Sequence, residues 1–87
     1  MRDLIIKRQA FDDLKYWCLN DVKLVKKIFE LLESILRDPF IGIGKPEILK
    51  GDLKGYLSRR INEEHRIVYS VTSASIIVAS CRSHYRN

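Results

Sequence analysis

Three short pieces in the second half of this 87-residue chain carry side chains able to do chemistry. They are Gly44-Lys45-Pro46-Glu47, Glu63-Glu64-His65-Arg66 and Ser83-His84-Tyr85. Together they supply a carboxylate, a guanidinium, an imidazole and a phenol. Such a set can move protons and stabilise a negatively charged phosphate with no metal ion. The cysteines offer no rival chemistry. Cys18 and Cys81 lie far apart without a Cys-x-x-Cys spacing, which argues against a zinc site or a disulfide framework. They read as two reduced, mostly packed thiols.

Composition bounds the scaffold. The length is that of one domain, 1–87, with a modest core. A hydrophobic fraction of 46% excludes wholesale disorder. The net charge of +5 favours a polyanion or an acidic protein as partner, because the summed field attracts negative charge. The run Leu4-Ile5-Ile6 is too short for a signal peptide, and no later stretch approaches a membrane span. The expectation is a cytoplasmic protein with no membrane partner.

The elements that must position the three pieces follow from periodicity. Leu4-Ile5-Ile6 reads as a first strand. Ala10, Phe11, Leu14, Trp17 and Cys18 recur at helical spacing and predict a helix from Gln9 to Leu19. Asn20-Asp21 breaks the pattern and can cap a second helix, Val22 to Arg37, with Val25, Ile28, Phe29, Leu32, Ile35 and Leu36 as its apolar stripe. Asp38-Pro39 stops it. Trp17 and the stripe read as core. Residues 40–55 hold all four glycines and form a long loop with a short strand near Ile48-Leu49. Strands follow at Tyr56–Ile61, Arg66–Val71 and Ser75–Arg82, joined by hairpins. The fold class is α+β: two N-terminal helices packed on one face of a small twisted antiparallel sheet, in β-α-α-β-β-β order.

Three motifs then resemble one family in order and spacing. They are Lys45-Pro46-Glu47-x-Leu49-Lys50, Ser58-Arg59-Arg60-Ile61-x-Glu63-Glu64-His65-Arg66-x-Val68-Tyr69 and Cys81-Arg82-x-His84-Tyr85. The chain resembles the YoeB/Txe toxins of the RelE group of bacterial toxin–antitoxin systems, over nearly its whole length and including Trp17 and Pro39-Phe40. The resemblance implies a ribosome-dependent mRNA endonuclease that cleaves in the A site and needs no cofactor. It implies a YefM-type antitoxin as partner, operator DNA bound only through the antitoxin complex, and a homodimer as one state of the free toxin. By position, Glu47 matches the general base, Arg66 the phosphate-stabilising arginine, His84 the general acid and Tyr85 the adjoining aromatic residue. Lys50, Arg60 and Glu64 match supporting polar positions. Two departures stand out: Arg86-Asn87 extend past the His-Tyr pair, and Ile5-Ile6-Lys7-Arg8 replaces a more polar start to the first helix.

The chemistry is self-consistent. RNA carries its own nucleophile, the 2′-OH, so cleavage needs a base, an acid for the leaving 5′-oxygen and cations against the crowded phosphorane. A guanidinium fork suits phosphate oxygens. Taken singly, each residue has a plainer reading. His84 alone is a solvated histidine near a terminus, Glu47 a loop carboxylate, Glu63-Glu64 a hairpin tip, and Arg66 a structural partner of Glu64. Arg59 and Arg60 alternate across the sheet, which leaves at least one as plain surface. His65 belongs to the hairpin, and Tyr56 and Tyr69 to packing, whereas Tyr85 is placed to stack on a base. A three-residue loop at Asn62-Glu63-Glu64 sets Arg60 opposite Arg66 on one face; a two-residue loop would separate them. A ribosome- or RNA-binding inhibitor of translation, or an antitoxin-binding co-repressor, fits the same charge without cleavage. Neither needs a base–acid pair.

Overall fold

A computed structural model describes residues 1–83. The chain runs β1 (Asp3–Ile6), α1 (Arg8–Asn20), α2 (Val22–Arg37), β2 (Glu47–Ile48), a 3-10 turn (Gly51–Leu53), β3 (Leu57–Arg60), β4 (Arg66–Val71) and β5 (Ser75–Ser83). The sheet order is β1-β5-β4-β3-β2. The expected α+β arrangement is present, and its four later strands pair antiparallel. One edge differs from the expectation: β1 joins β5 in parallel, which makes the sheet mixed. A parallel pair needs a long crossover, and here nearly the whole chain separates the two strands, so no turn motif betrays the pairing.

The helices bury narrower stripes than their apolar residues suggest. In α2 the buried positions are Ile28, Leu31, Leu32, Ser34 and Ile35. In α1 they are Ala10, Asp13 and Trp17. Phe11, Cys18 and Phe29, grouped by spacing with the buried stripes, are exposed instead. The core lies between these helices and the sheet face carrying Leu57, Ile67, Tyr69, Ile76, Val78 and Cys81. Each fully buried Leu or Ile there contributes about 1.5–3 kcal/mol. Asp21 stands at the start of α2, but through its backbone carbonyl and not through a side-chain cap. Asp38 ends α2 in an extended conformation, as the residue before a proline must.

The long loop after α2 is held from inside the core. Arg59, expected on the surface if Arg60 is functional, is 0% exposed. Its guanidinium donates to Ser34 Oγ at 2.8 Å and to the carbonyls of Ile43 at 2.9 Å and Asp38 at 2.7 Å. Its Nε donates to Tyr69 Oη at 3.2 Å, and that hydroxyl donates to the Pro39 carbonyl at 2.6 Å. Gly42 has to be glycine, with φ at +149°: an added Cβ would fall 2.7 Å from Arg59 Nη1 and closer still to Ser34 Oγ. The Asp38 carboxylate completes the turn by accepting from the Phe40 and Ile41 amides.

Candidate active site

The pinned loop delivers Glu47. Lys45 adopts a left-handed φ of 51° directly before Pro46, a costly conformation for a side-chain-bearing residue. The Gly44 carbonyl accepts from the Arg60 amide at 2.6 Å, tying the turn to the end of β3. Two residues of β2 then pair with β3, placing Glu47 opposite Ser58. Glu47 is thus fixed at a sheet edge although its side chain is 48% exposed.

Register gathers the outer face. Ser58 pairs with Val68, and Arg60 with Arg66, so all four lie on the side away from Leu57, Arg59 and Ile67. The Ile61 amide bonds the His65 carbonyl at 2.9 Å, which closes Asn62-Glu63-Glu64 as the three-residue loop. The Asn62 side chain caps that loop through the Glu64 and His65 amides. Arg66 is the centre of the cluster. Its Nη1 lies 3.2 Å from Glu47 Oε1 and 3.3 Å from Ser58 Oγ, with the side chain 18% exposed. The partner of Arg66 is therefore Glu47 and not the alternative, Glu64. On its other flank Arg66 pairs in the ladder with Ser83, the residue before His84. His84 and Tyr85, the expected acid and aromatic residue, lie outside the described residues.

The supporting positions divide. Arg60 shares the face of Arg66, but its exposed side chain lines an open cleft with Lys27, Lys45, Asn62 and Glu63. Lys50 is exposed two residues after β2, at the start of the 3-10 turn. Glu64 is exposed at the hairpin tip, with Oε1 3.7 Å from His65 Nε2. His65 packs edge-on against Trp17, ring centroids 4.8 Å apart, and serves the hairpin as expected. The geometry thus brings Glu47, Arg66 and Ser58 together, with Arg60 on the same sheet face. A half-exposed carboxylate beside a partly exposed guanidinium, which the buried Ser58 hydroxyl holds from beneath, can bind a phosphodiester and accept a proton beside it.

Residues 6–85 match the family model for the YoeB-like toxin of bacterial type II toxin–antitoxin systems. The chain belongs to that family. It is 52% identical over 82 residues to the toxin YoeB of Escherichia coli strain K12, covering 94% of this chain and 98% of that protein. It superposes on the Staphylococcus aureus YoeB dimer with a TM-score of 0.89 at 55% identity, covering 97% of this chain and 98% of that one. The YoeB of the heterotetrameric YoeB–YefM complex from Staphylococcus aureus gives a TM-score of 0.86 at 55% identity, with coverage of 98% and 99%.

For this YoeB-like chain, the reading of residues missed two that shape the site. Arg59 builds the loop under Glu47, and the available signal was its place between Leu57 and Ile61 in an alternating strand. Asp13 is 3% exposed, and the signal was a carboxylate at helical spacing between Ala10 and Trp17.

Proposed function

We propose that this chain is an mRNA endonuclease that acts in the ribosomal A site and is neutralised by a YefM-type antitoxin. The observation that carries the reading is the Arg66 guanidinium held against Glu47 and Ser58, with Arg66 paired to Ser83 in the strand ladder. Glu47 takes the proton of the RNA 2′-OH as the O2′–P bond forms. The P–O5′ bond breaks, and His84 gives its proton to the leaving oxygen. Arg66 leaves its resting partner for the phosphorane oxygens, Tyr85 stacks on a base, and Lys50, Arg60 and Glu64 bind around the phosphate. The products are a 2′,3′-cyclic phosphate and a 5′-hydroxyl.

The partners follow from the family and from charge. An acidic antitoxin segment folding over this basic face would occlude it. Operator DNA would be met only through the toxin–antitoxin complex, and a homodimer is a state open to the free chain. None of the helices among the described residues is long and apolar enough to cross a membrane, which suits action at cytoplasmic ribosomes.

The test is primer extension on a defined mRNA in a reconstituted translation system, with and without ribosomes, using the wild-type chain and His84→Ala. Ribosome-dependent cuts within A-site codons that fade in the variant support the reading. A 5′-phosphate product would overturn the metal-free route. Translation arrest with intact mRNA, equal in both proteins, would make the chain a binder that does not cut.

A further inference from the structure

We infer that Asp13 and Trp17 of α1 are positioning residues for the acid end of the site, acting through a double irregularity in β5; the inference rests on the nuclease reading above. β4 and β5 begin in simple register, Val71 with Ile76, Ser70 with Ile77 and Tyr69 with Val78. The next pairs are Val68 with Ser80 and Arg66 with Ser83. β5 therefore holds one extra residue at Ala79 and another across Cys81-Arg82. Had the first register continued, Arg66 would face Cys81. The two insertions bring Ser83 there instead, with His84 next in the chain.

A bulge removes backbone groups from the ladder, and a buried backbone group without a partner is costly. Cys81 is 1% exposed, yet both its backbone groups are satisfied from α1. Its amide donates to Asp13 Oδ2 at 2.9 Å, and its carbonyl accepts from Trp17 Nε1 at 2.8 Å. The two side chains stand one turn apart on the same helix face. Gln9 holds the other Asp13 oxygen at 2.8 Å. The neighbouring residue of the bulge is gripped by the same helix, with the Arg82 guanidinium 3.4 Å from the Tyr16 ring centroid. Trp17 also packs against His65, which precedes Arg66. No ion pair among the described residues includes Asp13, so its carboxylate is kept in the core for a backbone amide. Bulges beside active sites re-aim the side chains that follow. Here the register of the chain up to Ser83 is set by two side chains that never touch substrate.

The experiment compares wild type, Asp13→Ala, Asp13→Asn, Trp17→Phe and His84→Ala. Each is checked for a cooperative thermal melt and then assayed for single-turnover mRNA cleavage on ribosomes. A misplacement of about 1 Å costs on the order of 100-fold in rate. The expected result is a loss of that order in Asp13→Ala and Trp17→Phe, with half-saturating ribosome concentration unchanged. Asp13→Asn, which keeps an acceptor for the Cys81 amide, recovers most of the rate. A substrate with sulfur in place of the scissile 5′-oxygen needs little acid and restores both impaired variants, as it does His84→Ala. Folded variants that cut at wild-type rate, or whose loss the sulfur substrate leaves in place, overturn the inference. Amide exchange supplies a readout free of cleavage: Asp13→Ala accelerates exchange at Cys81 and shifts the His84 resonances. Unchanged His84 resonances would overturn the inference whatever the rates. Wild-type cleavage by His84→Ala would remove His84 as the acid and overturn the inference with it, whereas intact mRNA with the wild-type chain would overturn the nuclease reading, and the resonances would still judge the positioning.

Discussion

Two arginines on neighbouring strands show how one side chain serves two ends. Arg59 on β3 faces the helices, is fully buried, and spends its donors on a hydroxyl, a phenol and loop carbonyls. Arg66 on β4 faces outward and meets a carboxylate that is half exposed. The first is surrounded by neutral oxygens and has nowhere to move. The second has a partner that another anion can replace. Immobile satisfaction builds the loop, and exchangeable pairing suits the phosphate-binding role proposed for Arg66. A guanidinium's function is thus decided by which face of a strand it occupies and by whether its partners carry charge.

The sharpest way to break this contrast is Arg59→Met. Methionine fills the space but abandons Ser34, Tyr69 and the carbonyls that Arg59 satisfied. Breaking a buried polar network of this kind costs about 3–5 kcal/mol. At about 4–8 °C per kcal/mol for a domain this small, the melting temperature should drop by more than about 12 °C. Arg59→Lys should rescue little, since a point ammonium cannot span partners on both sides of the loop. A variant melting within a few degrees of wild type would show that the loop is held by its own turns.

Arg66→Ala should do the reverse. Removing a donor aimed at developing transition-state charge lowers rate by about 10²–10³-fold. The partly exposed pair with Glu47 contributes about 0–1 kcal/mol, so the melt should move by no more than about 8 °C. The comparison fails if ribosome-dependent cleavage survives Arg66→Ala, or if the variant loses its fold as Arg59→Met does.

The contrast also marks what could be read in advance. The limits of α2 and β4 were legible because an apolar stripe at helical period ends at a proline, and an alternating strand is bounded by a polar loop. The shared face of Arg60 and Arg66 was legible only as a condition on the length of that loop, and the Ile61–His65 hydrogen bond decides it. The assembly of Glu47 with Arg66 was legible through the family resemblance, though His84 and Tyr85 fall outside the described residues. The inward role of Arg59 was not, although alternation put it between Leu57 and Ile61. Its partners are mostly backbone carbonyls, which leave no mark in a side-chain pattern. Asp13 escaped for the same reason, because the Cys81 amide it serves is freed by a register shift and not by any residue type. The parallel edge at β1 had no local signal at all, and Phe11 and Phe29 show that hydrophobicity alone misplaces a helix's buried face.

The inner face should also respond to pH. Burial, with a smaller contribution from the nearby Asp13 carboxylate, pushes the Cys81 thiol from 9.0 to about 12. Below about pH 9 the thiol is protonated in folded and unfolded chains alike, and the stability linked to it is fully present. Above that, the unfolded chain loses the proton while the folded chain keeps it. Stability then falls by about 1.4 kcal/mol per pH unit until the folded thiol itself ionises. Tyr69 adds a loss of the same sign above pH 10, since burial raises its hydroxyl against the opposing hydrogen bond and charge of Arg59. Thermal melts between pH 8 and about 11 should steepen downward. Cys81→Ala should remove the part that begins near 9, and a slope unchanged in that variant would assign the limb to other groups.

The smallest effect on stability tests the exchangeable partner. Glu47→Gln keeps the shape and removes the charge that holds Arg66 at rest. Because the Glu47 side chain is 48% exposed, the pair is screened by water and salt, and its loss should cost about 0–1 kcal/mol. Raising ionic strength should narrow even that difference between the two melts. Cleavage should fall by about 10²–10⁴-fold if Glu47 takes the 2′-OH proton, because glutamine cannot accept it. A large fall in stability with little fall in rate would reverse the assignment: Glu47 would then hold Arg66 in place as Ser34 and the loop carbonyls hold Arg59, and the two faces would be doing the same work.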